Sequence, residues 1–361
     1  MVVKNRMGNR MPIIKVASCS FSGRAWAKST SMPRLRSIQT TLADVAKAAG
    51  VNSSTASRIL NDAPGFSASI EIRDKVHWVA KRLGYRPSPL GRALRAKKTG
   101  MIAILGLWPN FFERPQHSSQ VVQAAAEVLF AGGYDVIAAM PRPRAERFRL
   151  GSLLVDGALA LIPGQDDSLA ELDHAGIPYV SIDGPSGPGG DSWLLDDRDA
   201  MQQLMAHLLE LGHQRVAWWS GIEFSHHSLR ERRETFSVSL QRAGLTDATP
   251  RLEIPEETAF LQACTAARIT AIVVYGGLWA IKVVEAAKRL NLRIPEDISV
   301  ATFNDEPDTA GLTTIAWPTV ELGSGAARTL LERLAGKSGG VTVPVLRGTL
   351  LVRPSTARLV Q

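Results

Sequence analysis

Arg58 closes the run Ser53-Ser54-Thr55-Ala56-Ser57-Arg58. A guanidinium fork can bond O6 and N7 of guanine in bidentate fashion, and serine hydroxyls can donate or accept at base edges or phosphates. On a helix, positions 53, 54, 57 and 58 share one side, while Ala56, Ile59 and Leu60 supply the other. A second arginine, Arg232, lies in Leu-Arg-Glu-Arg-Arg-Glu-Thr-Phe, residues 229–236. Its fork suits a hydroxyl pair or a carboxylate; a helix-surface ion pair is the alternative. Trp108, Phe111, Phe112 and Trp317 offer faces for stacking on a ligand, or for core packing.

Enzyme chemistry finds little support. The chain has no P-loop, no GxSxG elbow and no HExxH pair. Asp166-Asp167 and Asp196-Asp197 are adjacent in sequence, so their side chains need not converge, and solvated loops or caps account for them. His213 follows Gly212 at a helix end and reads as a capping or packing histidine rather than a metal ligand. We expect no enzyme activity, metal or cofactor.

The elements that must position Arg58 are legible around it. Thr41 and Asp44 form a capping-box start, and Leu42, Val45, Ala46 and Ala49 fall on one helical face. Gly50 supplies the left-handed stop, Val51 plugs the turn, and Asn52 caps a second helix. Two short helices with a glycine turn make a helix-turn-helix, whose second helix enters the DNA major groove. Ser67 or Ser69 caps a third helix with Val76, Val79, Ala80 and Leu83 inward; Trp78 is exposed or packs on the following segment. Residues 85–96, YRPSPLGRALRA, then read as a short basic helix too weak to stand alone. Its Leu94 can wedge into the minor groove; a plain linker is the alternative.

Charge follows the same division. The 361 residues carry a net charge of +8. Residues 1–39 hold eight basic and no acidic residues, residues 40–99 eleven basic and four acidic, and residues 100–361 have 23 basic against 30 acidic. A basic front end on an acidic body predicts a polyanion partner for the front alone. The arm, 1–39, reads as disordered, and Met32 is a candidate true start. Its Val16-Ala17-Ser18-Cys19 resembles a lipoprotein box, but Pro12-Ile13-Ile14 is too short an apolar run for export. Cys19 and Cys264 are the two cysteines, too few for a disulfide scaffold. No apolar run of about 18 residues spans a membrane.

Beyond residue 100, MIAILGLW, YDVIAAM, GALALI, PYVSID, RVAWWSG, AIVVYGG and ISVATF alternate with helical segments. Alternation of this kind predicts parallel sheets covered by helices. About 260 residues suits two such lobes with a ligand at the strand ends between them.

Residues 41–96, carrying TLADVAKAAGV, STASRILN and YRPSPLGRALR, resemble the headpiece and hinge of the LacI-type (lactose-repressor, GalR-like) family of bacterial regulators. Val155-Asp156-Gly157, Ile177-Pro178 with Ile182-Asp183, Leu211-Gly212-His213, IPEDISV at 294–300, LTTI at 312–315 and VRPST at 352–356 resemble that family's sensor landmarks.

The resemblance implies a three-helix headpiece with a hinge helix, then a two-lobed α/β periplasmic-binding-protein-like domain. The division expected is arm 1–39, DNA-binding domain 40–86, hinge 87–99 and effector-binding and dimerisation domain 100–361. It implies Ser53, Ser54 and Arg58 as base readers and Leu94, followed by Arg95, as the wedge. Thr41, Asn52, Thr55, Ser57, Asn61, Ser88 and Arg92 complete the DNA set. The effector set is Trp108, Phe111, Phe112, Asp183, Arg232, Asn304 and Trp317.

The partners implied are palindromic double-stranded operator DNA, a sugar-like small molecule and a second copy in a homodimer, in the cytoplasm at the nucleoid. A solute-binding protein of a transport system and an effector-independent regulator are the alternatives. The sequence also departs from the pattern. Its Asn61-to-Val76 loop is slightly longer, and Gly91 replaces a small alanine-like residue. Gly276-Gly277 stands for the usual Asn-Asp, Asn304 for an Asp and Thr235 for a Gly.

Overall fold

A computed structural model describes residues 40–63, 65–86, 98–106, 117–139, 155–161, 168–221, 226–252, 256–337 and 345–359. The chain divides into two compact units, Met1–Pro87 and Ser88–Gln361. Among the candidates above, Ser88, Arg92, Leu94, Arg95, Trp108, Phe111 and Phe112 lie outside the described residues, as does the Asp166-Asp167 pair.

The first unit is built from three helices, α1 (Leu42–Ala49), α2 (Ser53–Leu60) and α3 (Ile70–Arg82). Eight-residue helices are too short to persist alone, so their ends must be fixed. Thr41 and Asp44 close the expected capping box, and Gly50 ends α1 at φ 72°. Asn52 Oδ1 accepts from Thr55 N–H at 2.7 Å to start α2, and Ser69, rather than Ser67, caps α3. The core is Val45, Ala46, Ala49, Ala56, Ile59, Val76, Val79 and Ala80. Leu83 departs from its expected inward place: α3 stops at Arg82, Leu83 becomes the cap, and its side chain is 39% exposed. Trp78 is exposed, with the Arg82 guanidinium one turn later 5.0 Å from its ring.

The second unit has two five-stranded sheets. One has order β2-β1-β3-β4-β5, with β1 Met101–Leu105, β2 Asp135–Ala139, β3 Gly157–Ala160, β4 Tyr179–Ile182 and β5 Gly190–Trp193, all parallel. The other has order β10-β9-β8-β7-β6, with β6 Val216–Trp219, β7 Ala271–Val274, β8 Ser299–Phe303, β9 Thr313–Ala316 and β10 Thr349–Leu351. Here β10 alone runs antiparallel to its neighbour.

Helices α4 (His117–Ala131), α5 (Ser168–Ala175), α6 (Asp197–Glu210), α7 (His227–Arg242), α8 (Glu257–Ala266), α9 (Gly277–Arg289) and α10 (Thr319–Leu334) complete the unit. The interior strands are buried along their length, as sheets covered on both faces require.

The chain crosses between the lobes at three places: β5 to α6, β9 to α10, and α10 to β10. Two crossings are tied together, since Asp196 N–H donates to Leu346 C=O at 2.8 Å and Leu346 N–H to Leu194 C=O at 2.9 Å. Helix α10 returns from the second lobe to pack on α4 and on the first sheet. At that contact Gly323 lies so close that a Cβ would overlap the Val121 carbonyl of α4.

Among the described residues, no helix is long and apolar enough to cross a membrane. Gly323→Ala gains about 1 kcal/mol of helix propensity, yet overpacking costs about 1–3 kcal/mol. We expect a net loss of stability in a thermal melt. An unchanged or higher Tm would show that the α4–α10 spacing is not fixed there.

Candidate functional site

The two candidate surfaces lie one in each unit. In the first, Ser53, Ser54 and Arg58 are exposed on α2, and Ser57 and Thr55 are half-buried. Asn52 does more than cap, since its Oδ1 also accepts from the Ser54 hydroxyl at 2.8 Å. Asn61 Nδ2 donates to Ser57 C=O at 2.7 Å, which ties down the far end of α2. Thr41 Oγ1 donates to Asp44, so its hydroxyl is engaged at the start of α1. The Arg58 guanidinium lies 5.3 Å from the Phe66 ring centroid, a cation–π distance. Sequence reasoning missed Phe66; its signal was an aromatic in an otherwise polar loop eight residues after Arg58.

The second surface gathers at the carboxyl ends of strands from both lobes. Asp183 follows β4, Tyr275 follows β7, Asn304 follows β8 and Trp317 follows β9. Asp183 and Asn304 both take left-handed backbone, at φ 58° and 69°, a conformation that Asp and Asn tolerate better than most residues.

At the centre is Arg232. It is 3% exposed, so the helix-surface alternative falls. Its Nε donates to Asp197 Oδ1 and its Nη1 to Tyr275 C=O, each at 2.7 Å. Phe303, Tyr275 and Trp317 surround the guanidinium at 4.1, 5.0 and 5.6 Å.

Asp197 corrects the solvated-pair expectation. Asp196 does cap α6, accepting from Asp199 N–H at 2.9 Å. Asp197 instead turns inward and is 2% exposed. Adjacent residues on a helix end diverge by about 100°, so one carboxylate meets water and the other meets Arg232. Asp197 Oδ2 and Asp183 Oδ1 are buried with no hydrogen-bond partner among the described residues.

Burial, and then the nearby Asp197 charge, push the Asp183 carboxyl well above the usual carboxylate range, against the pull of Arg232. Asp197 accepts the guanidinium bond; burial raises its carboxyl too, with Arg232 pulling the other way. The cluster therefore offers two buried carboxyl groups, each with an unpartnered oxygen among the described residues, and a cation.

Asn304 lacks the carboxylate expected at its position. Its Oδ1 accepts from Trp317 Nε1 at 3.0 Å, and Nδ2 would lie 3.5 Å from a Cβ on Gly276. Two histidines flank the cluster. Burial and the Arg232 charge hold His117 down at about 3 and His226 at about 4. His226 also caps α7, accepting through Nδ1 from Ser228 N–H at 3.2 Å, and Ser228 Oγ lies 2.8 Å from the Tyr275 hydroxyl. His213 is a packing histidine, bonded to Thr270 and to Ala357 C=O. Among the described residues, no group of three or more His, Cys, Asp or Glu could hold a metal ion.

Comparison with known proteins supplies the family. Residues 41–88 match the family described as bacterial regulatory proteins, lacI family, and residues 205–356 the periplasmic binding protein-like domain. The HTH-type transcriptional regulator MalR of Streptomyces coelicolor is 31% identical over 88% of this chain and 97% of its own. The chain belongs to the LacI family.

The lac repressor dimer bound to operator and the anti-inducer ONPF shares its fold with a TM-score of 0.69 and 25% identity, over 88% of this chain and 99% of that one. A transcriptional regulator CelR–cellobiose complex does so with a TM-score of 0.63 and 26% identity, over 88% and 100%. This LacI-family member is accordingly a DNA-binding transcriptional regulator with a helix-turn-helix headpiece and a two-lobed sensor.

Two outcomes test the buried cluster. Asp197→Ala leaves the Arg232 charge unpaired in the interior and should cost about 3–5 kcal/mol in urea unfolding; a loss under about 1 kcal/mol would mean the pair is solvated. For the histidines, a folded pKa below the unfolded value gives stability that is complete above about pH 6.5. It is lost as pH falls towards about 4 for His226 and about 3 for His117. Asp183 acts with the opposite sign, its raised pKa weakening the fold as pH rises. His226→Asn keeps the cap and removes the titration, so its unfolding midpoint should fall less than the parent's between pH 7 and pH 5. Equal slopes would exclude His226 as the cause.

Proposed function

We propose that this regulator is a homodimeric repressor that binds a palindromic operator in the bacterial cytoplasm, at the nucleoid, and is released or engaged by a neutral, hydroxyl-rich effector such as a sugar. The observation that carries the effector class is the Arg232–Asp197 bond. A carboxylate or phosphate ligand would have to displace Asp197 from the guanidinium. A polyol instead finds acceptors in Asp197 Oδ2 and Asp183 Oδ1, donors in Arg232 and Asn304 Nδ2, and aromatic faces in Tyr275 and Trp317. Asp183, Arg232, Asn304 and Trp317 are the effector contacts in this reading; Asp197 and Tyr275 join them.

On the DNA side, Ser53, Ser54 and Arg58 read bases, with Arg58 aimed by Phe66. Thr41, Asn52, Thr55, Ser57 and Asn61 hold α2 in register or meet the backbone, and Ser88, Arg92, Leu94 and Arg95 serve the hinge. A palindromic operator fits a dimer, because a two-fold protein recognises half-sites related by the same axis. The lac repressor complex supports the operator reading, and the CelR complex supports a sugar. No enzymatic role is needed for any of these residues.

Selection from a randomised duplex pool tests the reading. It should return a palindrome, and Arg58→Ala should lose about 1–3 kcal/mol at one symmetric base position; a pool that stays random overturns it. In parallel, a panel of neutral mono- and disaccharides against their acid derivatives should yield a rise in Tm with a neutral member, absent in Asp183→Ala. A rise confined to the acids would overturn the effector class.

A further inference from the structure

Glu306 plays no part in the reading above, yet the residue is only 9% exposed. It stands in the loop that follows β8, in the second lobe. Its Oε1 accepts from His117 N–H, at the start of α4 in the first lobe, at 3.2 Å. Its Oε2 lies over Gly277, so closely that a Cβ there would collide with it.

Gly277 opens α9, whose cap, Gly276, provides no side-chain hydrogen bond, and no acidic residue stands in the first turn. A helix start carries unpaired N–H groups and a partial positive charge. The one carboxylate therefore bonds the start of one helix and lies against the start of another, and the two helices belong to different lobes. Its own backbone is held in place, with Glu306 N–H donating to Thr309 Oγ1 at 3.3 Å and Thr309 buried.

The arrangement also gives a reason for the departure at 276–277. An Asn or Asp there would cap α9 from within its own lobe. Two glycines leave the helix end open and leave the space that Glu306 fills.

We propose that Glu306 is an interlobe latch, a carboxylate of the second lobe that engages the start of α4 in the first and so sets the population of the closed cleft. Its consequence for regulation rests on the effector reading, but the latch itself is a property of the protein without ligand. A bond across the cleft exists only while the cleft is closed, so it shifts the open–closed equilibrium by its full differential strength. An effector then works on a domain already biased towards closure, and weakening the latch lowers effector affinity by the fraction of closed molecules lost.

The test needs no effector. In the full chain carrying Cys19→Ser, spin labels are placed through Glu127→Cys on α4 and Lys288→Cys on α9, both exposed. Cys264 is buried and its thiol is pushed up to about 12, so it stays unlabelled. Double electron–electron resonance should give a parent distribution dominated by a short distance. Glu306→Ala should move at least half of that population to a longer one, with Glu306→Gln between the two, because it keeps the acceptor and loses the charge.

Gly277→Ala, which evicts the carboxylate without touching Glu306, should resemble Glu306→Ala. A parent distribution already at the long distance, or a Glu306→Ala distribution that superimposes on the parent's, overturns the latch. Operator binding by the same samples reports separately on the regulator reading. Loss of specific duplex binding by the parent defeats that reading and leaves the lobe distances interpretable.

Discussion

The sensor unit is organised around one buried ion pair. Arg232 of α7 and Asp197 at the start of α6 are almost wholly withdrawn from water, where an isolated charge would be prohibitively costly. Neither side chain can leave without stranding the other, so α6, α7 and the end of β7 keep one mutual geometry. Around that fixed cation the three aromatic rings, Asp183 and Asn304 take their places. The pair also leaves the guanidinium already engaged by an internal carboxylate.

The headpiece is governed by different physics. Its buried residues are mostly alanines and valines, and little apolar area is available in so few residues. Cap chemistry carries a correspondingly larger share: the Thr41–Asp44 box, Asn52, Asn61 and Ser69 each satisfy backbone groups that the short helices leave open. Local order extends to the surface, where Phe66 lies against Arg58 and Asn52 accepts from the Ser54 hydroxyl.

Much of this was legible in the sequence because it is local. The caps at Thr41 and Asn52, the stop at Gly50 and the apolar strands all rest on neighbours within a few positions, with the third cap narrowed to Ser67 or Ser69. Strands β5, β9 and β10 were not marked as such: GDSW is mostly polar, TLL is very short, and TTIA shows its apolar character only once its threonines are buried.

The site was half visible. Arg232 stood out by type and by the place the family resemblance gives it. Asp197 looked like any helix-start acid, since its burial depends on α7, which lies thirty residues on in sequence. Glu306 had no signal at all, because its two helix ends come from distant parts of the chain. Nor could the Asn304–Trp317 bond be anticipated, as it joins the ends of two strands whose adjacency is a property of the finished sheet.

The triple crossing between lobes bears on how the protein is made. Residues through β5 emerge from the ribosome before α10 exists, yet the first sheet keeps α10 against one of its faces and Trp193 donates to Thr329 of that helix. During synthesis the first lobe must therefore wait with an uncovered apolar face while the whole parallel part of the second lobe is produced. Strand β10, which seals the edge of the second sheet, comes later still. Neither lobe is a unit of biogenesis by itself, and excision of one would leave both incomplete.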